Sequence, residues 1–77
     1  MIKIISNAAG ETMLLFRLDN GWTAAALPDR DGRAKLLAWP GYDDAPGKEI
    51  ETGPEEANAT DLADWIDWVA IFEEVAP

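Results

Sequence analysis

Asp61, Asp64 and Asp67 follow one another at intervals of three, and Trp68 and Ile71 are set among them. On a helix, residues three and four apart are neighbours at about 5–6 Å, so Asp64 meets Trp68 and Asp67 meets Ile71. Carboxylates presented in such steps accept charge-assisted hydrogen bonds from Lys and Arg. A tryptophan framed by polar side chains has the make-up of an interface hot spot. Asp43, Asp44, Glu49 and Glu51 form a second acidic group upstream. The expected chemistry is recognition of a basic partner, carried by Asp43, Asp44, Glu49, Glu51, Asp61, Asp64, Asp67, Trp68 and Ile71.

Catalysis has few parts to work with. Ser6, Tyr42 and four threonines supply the hydroxyls, and the chain has no histidine or cysteine to activate them. Paired carboxylates do acid–base work in glycosidases, but such enzymes need a cleft that 77 residues can hardly form. The Asp29-Arg30-Asp31-Gly32 run superficially resembles a calcium loop, yet it lacks the third acid before the glycine and a glutamate at the twelfth position. A hairpin loop explains it better. Asp43, Asp44, Glu49 and Glu51 could hold a divalent cation weakly, and solvated charge is the simpler account. No enzyme activity, metal or cofactor is expected.

Charge is distributed unevenly. Residues 1–42 carry five basic and four acidic side chains, whereas residues 43–77 carry eleven acids against Lys48 alone. The second half therefore generates a strong negative potential. DNA, RNA and anionic membranes are poor partners for it, and basic protein surfaces are good ones. No apolar run approaches the ~18 residues of a membrane span, and MIKIISN has neither a basic leader nor a long apolar stretch. A cytoplasmic location is expected, and a monomer is favoured over a homodimer.

These residues need a scaffold, and one domain over residues 1–77 is expected to supply it. A chain this short buries only about 60% of its unfolded surface. Without disulfides its core must come from apolar packing, for which four tryptophans and two phenylalanines are available. β-Branched and alternating segments predict strands at about 1–7, 12–19, 22–27 and 33–39. Leu14, Phe16 and Leu18 fall on one face of the second strand, with Met13, Leu15 and Arg17 on the other. Asp19-Asn20-Gly21 predicts a type I′ hairpin turn, and Pro28 to Gly32 a second hairpin loop. Three prolines and three glycines between 40 and 57 argue for a loop, with Lys48 to Thr52 as an optional fifth strand. Asn58 and Asp61 resemble a capping box opening a helix over about 59–75. The expected fold is α+β: an antiparallel meander of four strands, optionally five, with one C-terminal helix on a single face.

Leu62, Trp65, Ile66, Val69 and Phe72 share one 120° arc of that helix and predict its core stripe. Trp68, Ile71 and Val75 extend the apolar surface beyond that stripe. Either the 40–57 loop folds over Trp68, or Trp68 and Ile71 stay partly exposed within an acidic rim.

Taken whole, the chain resembles small phage-encoded anti-CRISPR proteins, in particular inhibitors of a type I-C system. The resemblance lies in the MIKIISN strand, the Asp19-Asn20-Gly21 hairpin and the acidic Thr60-to-Trp68 helix. It implies a stoichiometric inhibitor acting in a bacterial host cell. Several such inhibitors occupy the basic DNA-reading surface of a CRISPR complex as duplex mimics. No residue's role is transferred by position. Two further readings stay open: an immunity protein or antitoxin covering a nuclease's basic cleft, and a structural or oligomerising phage protein that buries Trp68 and Ile71 in a homodimer.

Overall fold

Alternation along the first 40 residues sorts side chains onto two faces of a sheet, and the order of turns makes each strand pair with the next. A computed structural model describes residues 2–6, 10–29 and 31–75. It contains β1 (Ile2–Ser6), β2 (Thr12–Arg17), β3 (Trp22–Pro28), β4 (Ala34–Pro40), β5 (Glu51–Thr52) and α1 (Ala59–Ala70). The sheet is an antiparallel meander in the order β1-β2-β3-β4-β5. The expected α+β architecture, with one C-terminal helix against the sheet, is the one observed. Residues 7–9 lie outside the described residues, as do Met1, Arg30, Ala76 and Pro77.

Central strand β3 explains the layering. Ala24, Ala25 and Ala26 are all buried, and their small side chains let bulk approach from both sides. On one face Ala24 and Ala26 join Leu36, Ala38, Trp65 and Val69, with Leu14, Phe16, Leu62 and Phe72 packed around them. On the other, Trp39 fills the space above Ala25 and Leu15. Among the described residues no helix covers that second face. Instead the chain after β4 folds back over it: Thr23 Oγ1 donates to the Gly41 carbonyl, and Trp39 Nε1 donates to the Asp43 carbonyl at 3.0 Å.

Two local expectations are corrected. The Asp19-Asn20-Gly21 turn is not type I′, because Gly21 alone takes a positive φ (87°) and Asn20 does not. Gly21 N donates to Leu18 O, and Leu18 N to Trp22 O, which closes a three-residue loop with a left-handed glycine at its end. Asn20 instead reaches across to the helix, where its Nδ2 donates to the carbonyls of Val69 (2.9 Å) and Phe72 (3.3 Å). The Val69 carbonyl also accepts from Phe72 N, which tightens the chain just past the helix. α1 ends at Ala70 and not near 75, with Ile71 as its C-cap. The chain beyond turns back onto the hairpin, with Trp22 Nε1 donating to Glu73 O and Val75 N to Asn20 O. At the other end the capping box is present as expected, Asn58 accepting from Asp61 N and Asp61 from Asn58 N. The 40–57 stretch is less irregular than expected. After β5 it continues beside β4 through Gly53 N to Leu36 O, Leu36 N to Pro54 O and a bridge between Ala34 and Ala57.

Candidate functional site

Where the segment after β5 meets α1, a shallow apolar cavity of about 310 Å³ opens to solvent. Pro54, Asp61, Asp64, Trp65 and Trp68 line it. Trp65 is the fixed wall. It is only 8% exposed, and its Nε1 donates to Leu37 O at 2.9 Å. Its six-membered ring rests on Gly53, where a Cβ would come within 2.9 Å of Cζ3 and 3.2 Å of Leu36 Cβ. Only glycine leaves room for the ring.

Trp68 stands against this wall, its centroid 5.1 Å from that of Trp65. Phe72 supports it edge-on at 4.5 Å, and Trp22 in turn meets Phe72 edge-on at 4.9 Å. Four aromatic rings thus form a continuous row, in which Trp68 is 46% exposed. The loop does not fold over it; Pro54 reaches only the rim of the cavity. Ile71, at the C-cap of α1, is 79% exposed.

The carboxylates divide by place. Asp61 and Asp64 border the cavity, and Asp61 is held in place because its Oδ2 also accepts from Asn58 N at 3.0 Å. Asp67 is exposed on the solvent side of α1, and Glu51 is exposed on β5, paired with Ala38 and so on the helix-bearing face. Asp44 is elsewhere. It lies on the opposite face of the sheet, accepting from Lys3 Nζ at 2.8 Å and Arg17 at 3.1 Å. The hydrogen bond from Lys3, reinforced by the charges of Lys3 and Arg17, holds the Asp44 carboxyl below its ordinary value of 3.8. Arg17 also donates to Tyr42 O, and the Tyr42 hydroxyl donates to Leu18 O, so these contacts anchor the loop. Asp43 and Glu49 are exposed in that loop.

The expected binding residues are therefore not one surface. Asp61, Asp64 and Trp68 converge, Asp67 and Ile71 flank them on α1, and Asp44 is occupied within the chain. Two contributors escaped the sequence reading: Pro54 as a rim, and Trp65 as a wall as well as a core residue. The Gly53-Pro54 pair just before a helix bearing Trp65 and Trp68 was the available clue. Asp29 is structural too, since its Oδ1 accepts from the backbone of Asp31 and Arg33 within the second hairpin.

Among the described residues, no group of three or more acidic side chains is placed to hold a metal ion. No helix among them is long and apolar enough to cross a membrane. No family model, curated protein or solved structure matches the chain.

Proposed function

We propose that the chain is a stoichiometric binding protein that docks the acidic outer side of α1 on a basic, nucleic-acid-reading protein surface. This is the role implied by the resemblance to anti-CRISPR proteins, with a CRISPR surveillance complex as the target and duplex mimicry as the means. A nuclease's basic cleft is an alternative target of the same physical kind. The observation that carries the reading is the composition of one exposed patch. Trp68 and Ile71 present apolar surface, Asp64 and Asp67 lie one helical turn before them, and Asp61 lies a turn further back. Apolar side chains bordered by carboxylates suit a partner that supplies Lys and Arg beside a desolvated contact. Carboxylates spaced along a helix meet the side chains that would otherwise grip phosphates.

A gel shift with a purified type I-C surveillance complex tests this. At physiological salt, one equivalent of the chain should abolish retention of target duplex by the complex. The chain alone should leave the duplex unshifted, because residues 43–77 repel phosphate. Unchanged retention at large excess, or a shift by the chain alone, would refute the proposal for this target.

The 79% exposure of Ile71 favours a second reading, a homodimer across the C-terminal end of α1. Light scattering separates the two, since a stable dimer would cover the patch the first reading requires.

A further inference from the structure

We propose that the cavity between Pro54, Asp61, Asp64, Trp65 and Trp68 is a cage for a single arginine side chain presented by the partner. The inference rests on the reading of the chain as a binder of a basic surface, and it names the contact at its centre.

Size comes first. Ligand cavities commonly run from about 300 to 1,000 Å³. At about 310 Å³ this one stands at the small end of that range and has room for one side chain. The walls then select charge. Tryptophan faces attract cations more strongly than those of tyrosine or phenylalanine. Here two indoles 5.1 Å apart, inclined at 37°, form a continuous aromatic surface. Asp61 and Asp64 add two carboxylates one helical turn apart at the mouth. Among the described residues no basic side chain lines the cavity, and the bond that Asp61 accepts there comes from the Asn58 backbone. A cation between them relieves their repulsion.

Arginine fits better than lysine for physical reasons. Its guanidinium is flat, weakly hydrated and able to stack on an indole while its edge donates to carboxylates. An ammonium loses more hydration on entering an apolar cavity and cannot stack. The site is also rigid. Gly53 packing and the bond to Leu37 O hold Trp65, Asn58 fixes Asp61, and Phe72 supports Trp68. Little ordering is left for binding to bring about.

The test uses the full chain and N-acetyl-argininamide, followed through the indole N–H resonances in NMR. The Trp65 and Trp68 signals should move saturably, while the uncharged citrulline analogue moves neither. N-acetyl-lysinamide should bind more weakly. Asp64→Asn, a surface change that leaves the aromatic row intact, should reduce affinity by about five- to tenfold. Trp68→Ala should abolish saturation. Equal shifts with the citrulline analogue would overturn the cage. So would tighter binding of tetramethylammonium, or indole shifts confined to Trp22 and Trp39. Retention on a basic partner separates the two proposals. If Trp68→Ala and Asp64→Asn are retained as well as the native chain, the cage falls and the broader reading stands. If argininamide binds but no basic surface retains the chain, the broader reading falls and the cage stands.

Discussion

Trp65 and Trp68 are three residues apart and of one type, yet their surroundings assign them different energies. Trp65 is buried, hydrogen-bonded to Leu37 O and seated on Gly53, so its truncation leaves a cavity that neighbouring side chains cannot collapse to fill. Trp65→Ala should cost ~3–5 kcal/mol. Trp68 has about half its surface in water and interacts chiefly through the rings of Trp65 and Phe72. Each such ring pair is worth about 0.5–1.5 kcal/mol, so losing both in Trp68→Ala should cost about 1–3 kcal/mol. That exceeds what exposure alone suggests, because the aromatic row couples Trp68 to the core. Urea denaturation of both variants checks the ranking. Equal losses would make Trp68 a core residue and remove the case for a hot spot.

At the scale of elements, what could be read in advance was local. Strand alternation, the capping box of Asn58 and Asp61, and the core stripe Leu62, Trp65, Ile66, Val69 and Phe72 depend on spacings of a few residues, and each is present. What could not be read depends on groups far apart in the chain. Asn20 looks like a turn residue until Val69 and Phe72, 49 and 52 positions later, arrive beside it. Asp44 looks like one more surface acid until the meander brings Lys3 and Arg17 to it. The cavity has the same character, since Pro54 and Trp68 meet only through tertiary packing. The Asp44 contacts also make the 41–44 loop sensitive to acid. Because folding lowers the Asp44 value below 3.8, the ionised form favours the folded state. That contribution is fully present well above 3.8 and disappears as pH falls through the still lower value in the folded chain. The difference in thermal midpoint between the native chain and Asp44→Asn should therefore be constant near neutrality and shrink below about pH 4. A difference that persists unchanged at pH 2 would mean that the ion pairs contribute nothing to stability.

For the whole molecule, the decisive quantity is where the net charge of −9 can act. Lys3 and Arg17 already offset Asp44 on the face away from α1, so that face is less negative than its acid count suggests. On the helix-bearing side Asp64 and Asp67 remain exposed beside the cavity and Ile71. This asymmetry predicts an orientation for encounter as well as a partner of opposite sign. Reversing Asp64 and Asp67 to lysine leaves the capping box untouched, because that box uses Asp61. Exposed substitutions of this kind usually change stability by only about ±0.5 kcal/mol. Association with a basic partner should nonetheless slow by about tenfold or more at low salt, and its dependence on salt should flatten. The matched control reverses Asp19 and Asp31, exposed on the two hairpin loops. Asp29 is unsuitable as a control, because its carboxylate organises the second hairpin. Stopped-flow association at several salt concentrations distinguishes the surfaces, with circular dichroism first showing each variant folded. Equal slowing by both pairs would reduce the effect to net charge alone. Slowing by the hairpin pair only would move the binding surface to the turns of the meander, away from the aromatic row.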